Sequence, residues 1–232
     1  TKILYLPMMK GLFYRIKFFL IINLVLFAIY DSKSQITDDF SDGEFSSNPI
    51  WTGDDSVFIV VNNQLRSNKL LTNSTFYLST PNTQVNNTQW EFFLNLKFAT
   101  SSANYVDVYL TADQSDLTSA TLNGYYVRVG GTNDNVSLFK KVNGVSTALI
   151  TGTASLLTSS SNNILKIKVI RDASNNFSLY REFNTGSLSG NFTLEGTVND
   201  ATFSNSSFFG LSITQSTACL LYTSDAADDT PC

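Results

Sequence analysis

The residues best suited to chemistry in this sequence are aromatic, amide and charged side chains that alternate with apolar ones along short runs. In QWEFFLNLKF, which begins at Gln89, the period of two of an extended strand sends Trp90, Phe92, Leu94, Leu96 and Phe98 one way. Glu91, Phe93, Asn95 and Lys97 go the other. In YVDVYL the same reading turns Val106, Val108 and Leu110 inward and Tyr105, Asp107 and Tyr109 outward. In GYYVRVG it turns Tyr125, Val127 and Val129 inward and leaves Tyr126 and Arg128 out. Together the outward sets predict one surface carrying Phe93, Asn95, Lys97, Tyr105, Asp107, Tyr109, Tyr126 and Arg128. Apolar sugar faces stack on rings while hydroxyls take directional hydrogen bonds, so this is a composition fit for a glycan partner. The competing reading is that a Lys97–Asp107 cross-strand pair and a tyrosine ladder only stabilise a solvated sheet face.

Catalysis has little to work with. The chain contains no histidine, which removes Ser/His/Asp triads, Cys/His dyads, the usual zinc ligand sets and any imidazole base. Glycoside hydrolysis needs two carboxylates about 5 to 10 Å apart. Between residues 35 and 218 the glutamates are Glu44, Glu91, Glu182 and Glu195, and no strand carries an acid-x-acid run. The expectation is a protein that is not an enzyme. Aspartates cluster at Asp38, Asp39 and Asp42 and at Asp54 and Asp55. Calcium takes carboxylates and loop carbonyls in flexible geometry, but this spacing is not that of an EF-hand loop, and turn-capping aspartates give the same pattern.

The elements that must position these residues are strands. Short runs rich in Val, Ile, Phe, Tyr and Leu follow one another, separated by Asn, Gly, Asp or Ser, and no segment keeps a helical period for three turns. Asn143-Gly144 and Asp172–Asn176 each split two strand-like runs, as hairpin turns do. The stretch Asp113–Thr121 reads as a surface loop, and Trp51 reads as a loop anchor beneath the sandwich. Strands every ten to fifteen residues without crossover helices predict an all-β, antiparallel sandwich or jelly roll. With 15 Lys and Arg against 19 Asp and Glu, the net charge is −4. No basic cluster is dense enough to hold a phosphate backbone, so nucleic acid is not an expected partner.

The two ends read differently from the middle. Lys10, Arg15 and Lys17 precede an apolar run from Phe18 to Tyr30, with Ser32 and Ser34 just after it. That is a signal-peptide layout, and the run is shorter than the roughly 20 apolar residues of a permanent anchor. The reading divides the chain into residues 1–34 (pre-start residues and signal peptide), a sandwich domain over 35–218, and a tail over 219–232. It predicts export, with no membrane span after cleavage. The tail, CLLYTSDAADD onward, breaks the preceding alternation and resembles translated sequencing adapter. Both cysteines, Cys219 and Cys232, belong to it, so no disulfide is inferred.

The order TDDFSDG, QWEFFLNLKF, NGYYVRVGG and ILKIKVIRDASNNFSLY resembles the concanavalin A-like, laminin G-like jelly rolls, in particular those at the amino terminus of secreted surface proteins of Gram-negative bacteria. The likeness spans about residues 36–214. It implies that Lys166 through Tyr180 forms a hairpin, with Phe177 where a tryptophan is common. It implies further domains in the same protein, and glycan binding on the concave sheet or rim loops. It also implies a structural Ca²⁺ near the joined termini, which singles out Asp39 and Asp42. Such domains close with a short aromatic-Asp-Asp strand beside the first, and here GLSITQSTA runs straight into the tail. The sandwich is therefore expected to lack its closing strand and to leave Ile36–Phe40 as an exposed edge. The function expected from all of this is a non-catalytic recognition or adhesion module. A structural spacer is the alternative.

Overall fold

A computed structural model describes residues 36–68, 73–184 and 190–217. The signal peptide and the tail from Cys219 lie outside the described residues. In chain order the strands are β1 (Thr52–Gly53), β2 (Phe58–Val60), β3 (Leu65–Ser67), β4 (Ser74–Pro81), β5 (Thr88–Leu96), β6 (Tyr105–Ala112) and β7 (Gly124–Gly130). They continue with β8 (Asn135–Val142), β9 (Val145–Ile150), β10 (Asn163–Arg171), β11 (Asn176–Asn184), β12 (Thr193–Asn199) and β13 (Phe208–Gln215). One 3₁₀ turn, Asp55–Val57, leads into β2.

These strands form two antiparallel sheets and a small hairpin. The larger sheet runs β1-β4-β13-β6-β7-β8-β9, the smaller β12-β11-β10-β5, and β2 pairs with β3. The β10 sequence NILKIKVIR shows why: its alternation of buried and half-buried positions suits a strand with one face in a core. Leu165, Ile167 and Val169 meet Phe92, Leu94 and Trp90 across β5 and Leu179 across β11. From the larger sheet Val108, Tyr125, Val127, Val129, Val136 and Leu138 join the same core, and each is 3% exposed or less. Burying one such aliphatic side chain is worth about 1.5–3 kcal/mol, so the sandwich is held mainly by this layer.

The turns follow their sequences. Asn143 and Gly144 take φ of 47° and 77°, the positive pair of a tight hairpin turn, and join β8 to β9. In the β10–β11 turn the Asp172 carboxylate accepts the N–H groups of Ser174 and Asn176, both at 2.8 Å. The expected pairing from Lys166 to Tyr180 is present across this turn. Trp51 is an anchor: it is 7% exposed, donates its indole N–H to Asp38 at 2.8 Å and packs edge-on against Phe209.

The expected edge at Ile36–Phe40 takes a different form. These residues make no strand, because Asp38 bonds the Phe40 N–H and Asp39 the Ser41 N–H, folding the segment into turns. Among the described residues the outer strands are β1 and β9 in the larger sheet and β12 and β5 in the smaller.

Candidate functional site

The single surface expected from strand parity is divided between the two sheets. Phe93, Asn95 and Lys97 belong to β5 and its end, in the smaller sheet, while Tyr105, Asp107, Tyr109, Tyr126 and Arg128 belong to β6 and β7 in the larger. Both sets point away from the core, so they occupy opposite outer faces of the sandwich. A Lys97–Asp107 pair is therefore absent, and Asp107 pairs with Arg128, its direct neighbour across β6 and β7.

On the larger sheet, parity correctly gives direction but not exposure. Tyr109 and Tyr126 are 1% and 0% exposed although they point outward. The loop between β6 and β7 lies across them and seats Leu117 and Leu122 beside their rings, making a second, smaller core. Gly210 of β13 permits that close approach, since a Cβ there would stand 2.7 Å from a Leu117 methyl. The leucines at 117 and 122 in an otherwise polar loop were the available signal.

What stays accessible is a cluster centred on Arg128. Its Nε and Nη2 donate to the two Asp107 carboxylate oxygens at 2.7 and 2.8 Å. Its guanidinium lies over the half-buried Tyr105 ring, 3.9 Å from the centroid, and within 5.5 Å of Phe139. Lys141 extends the row, donating to the Tyr109 hydroxyl at 2.5 Å. Burial pushes the Asp107 carboxyl above its usual range, against Arg128 and Lys141, which favour its charge. Burial also works against the Arg128 charge, but Asp107 outweighs it and holds the guanidinium firmly protonated. The paired short contacts are those of a carboxylate on a guanidinium, so we take the pair as ionised. Burial lowers Lys141 and raises the hydroxyls of Tyr109 and Tyr126, that of Tyr126 to about 12, so these two buried tyrosines stay protonated at neutral pH. The Arg128 side chain remains 27% exposed, and its Nη1 donates no hydrogen bond among the described residues. The arrangement offers aromatic rings, a fixed guanidinium and an ammonium side by side, which suits recognition of hydroxyl or carboxylate oxygens.

The smaller sheet presents Phe93, 47% exposed, beside Lys166 of β10, with Asn95 opposite Ile164. Lys168 and Tyr180 are cross-strand neighbours one pleat further on.

The glutamates hold structure together. Glu91 pairs with Lys166, Glu182 accepts the Gly190 N–H, and Glu44 bonds Ser46 and Ser47. Glu195 stands at the bulge between Leu179 and Tyr180 and turns inward to Arg181 Nε at 2.6 Å and the Thr153 N–H at 2.7 Å. Asp38, Asp39 and Asp42 line a hollow of about 360 Å³ together with Thr37, Ser41 and Asn48. Asp39 and Asp42 each spend an oxygen on the backbone N–H two residues on, and Asp38 spends both. Among the described residues no group of three acidic side chains converges as a metal site.

A residue that strand parity marks out is Arg171, the fifth inward position of β10. It is 1% exposed, donates to the carbonyls of Phe203 and Asp200 and to Asn175, and stacks against Tyr125 and Phe177.

No family model matches this sequence, and no curated protein matches it. Among solved structures the fold is similar to the carbohydrate-binding module CBM66 from Bacillus subtilis, with 14% identity and a TM-score of 0.50. That match covers 72% of this chain and 92% of the module. It is also similar to a legume lectin-like domain from Entamoeba histolytica, with 14% identity and a TM-score of 0.52, over 79% and 92% of the two chains. A β-glucanase from Bacillus licheniformis matches at 11% identity over 80% and 81% of the chains with a TM-score of 0.36, too low to carry an argument. At these identities the likeness establishes the fold, an antiparallel jelly-roll sandwich of the concanavalin A-like class. No helix among the described residues is long and apolar enough to cross a membrane.

Proposed function

We propose that this domain is a non-catalytic carbohydrate-recognition module of an exported protein, and that it takes its ligand on the outer face of the larger sheet around Arg128. The observation that carries the reading is the stack of Tyr105, Arg128 and Phe139, half-accessible and held rigid by Asp107 from beneath. A preorganised donor between rings costs little to order on binding. The fold is one used by a named carbohydrate-binding module and a lectin-like domain, which supports the same conclusion by analogy. Structural duties for Glu44, Glu91, Glu182 and Glu195 support the absence of a hydrolytic pair. Export and a place in a larger surface protein belong to the same proposal and rest on the sequence.

The test is a glycan array probed with the intact domain and with Tyr105→Ala. Tyr109→Ala and Tyr126→Ala are unsuitable, because both rings are interior and their loss would act through stability. Specific glycan capture that drops with Tyr105→Ala supports the reading, and a folded domain that captures nothing counts against it. One observation favours the spacer reading: the β6–β7 loop spends much of the outward aromatic surface on internal packing. A spacer predicts that the domain captures no glycan and that Tyr105 can be replaced with no loss beyond stability.

A further inference from the structure

We propose that the outer face of the smaller sheet is a second binding surface, selective for a carboxylated, uronic-acid polysaccharide. This surface is on the opposite side of the sandwich from Arg128, and the inference does not depend on that site. The chain is net negative, yet this face collects Lys97, Lys166 and Lys168 against the carboxylates of Glu91 and of Glu182, the latter buried opposite Lys166 and accepting the Gly190 N–H. Lys168 is the informative residue. Its Nζ lies 4.2 Å from the Phe192 centroid and 4.9 Å from that of Tyr180, and it makes no ion pair among the described residues. Rings on two sides fix the ammonium without neutralising it.

The seat for a carboxylate is already demonstrated one pleat away. Glu91 stands directly opposite Lys168 in the β5–β10 register, yet its carboxylate bonds Lys166 on the diagonal, 2.5 Å from Nζ. Lys166 is thus filled from within the sheet, and Lys168 is left to an external anion. Phe93 and Leu194, 47% and 49% exposed, flank the lysines with apolar surface on which a sugar ring can rest. A chain bearing both ring faces and carboxylates meets both features at once, which neither a neutral glycan nor a small anion does.

The test measures retention of the whole chain by polygalacturonate, with dextran and dextran sulfate as comparison polymers. The wild type should bind polygalacturonate, more weakly as salt rises. Lys168→Ala should weaken it about tenfold, a change worth 1.4 kcal/mol, and Lys168→Arg should restore most of it. Phe93→Ala should weaken it as well, which places the binding on this face and not on the face around Arg128. An equal melting temperature for wild type and Lys168→Ala shows that the loss is not unfolding. No retention of the wild type, retention indifferent to Lys168→Ala, or preference for dextran sulfate would each overturn the proposal.

Discussion

Tyr109 and Tyr126 lie side by side across β6 and β7, ring centroids 5.1 Å apart, on the outer face of a sheet and yet inaccessible to solvent. The loop that covers them makes this face part core and part surface. Leu117→Ala should cost about 2–5 kcal/mol, as other buried leucine truncations do. It should also make Tyr109 reactive to nitration, which mass mapping of nitrated tyrosines would detect. Unchanged stability and an unreactive Tyr109 would show that the loop does not hold this second core.

The Arg128–Asp107 pair makes a separate prediction. Replacing Arg128 with Met leaves the buried Asp107 without its partner, a loss of about 3–5 kcal/mol. Arg128→Met combined with Asp107→Leu should recover most of that stability, because the uncompensated charge goes too. Urea denaturation of both variants at neutral pH is the check, and a double variant no more stable than the single one would contradict an ionised pair.

Arg171 tests the other end of the core. Its Nη1 and Nη2 serve the carbonyls of Phe203 and Asp200, so Arg171→Leu should cost about 2–3 kcal/mol through acceptors left unpaired. Thermal melting would register it. A variant as stable as wild type would mean that water or a rearranged 200–203 segment replaces the guanidinium.

Asp200 gives the fold an acid limb. Burial works to raise its carboxyl, but Lys140 at 2.7 Å, the Tyr125 hydroxyl at 2.6 Å and Thr202 outweigh it and hold it well below the ordinary 3.8. A depressed folded value means that this contribution is full above the unfolded pKa and disappears as pH falls toward the folded one. Asp200→Asn should therefore lower stability at pH 7 and flatten its fall below pH about 4. Parallel pH profiles for the two proteins would contradict this.

The strands were legible because their information is local. Leu165, Ile167 and Val169 alternate with Lys166, Lys168 and Ile170, and Asn143-Gly144 can hardly be other than a tight turn. The composition of the site was only half legible. Parity assigns a side chain to one of two faces of its own strand, but it does not say which sheet the strand joins. β5 and β6 are consecutive in the chain and belong to different sheets, and nothing in residues 97–104 marks the crossing. Hence parity alone groups Phe93, Asn95 and Lys97 with Tyr105 and Arg128, although the sandwich lies between them. Burial by a loop is equally non-local: Tyr126 has the sequence context of an exposed residue and is covered by Leu117 and Leu122 from another segment.

The central claim is that Tyr105, Arg128 and Phe139 form a carbohydrate-contacting face, and a titration of isotope-labelled domain with a captured glycan tests it most directly. The account predicts saturable amide shifts concentrated on β6, β7 and β8 around these three residues, lost in Tyr105→Ala while the remaining spectrum stays that of a folded protein. Shifts confined to other elements, or none with any glycan, would contradict it.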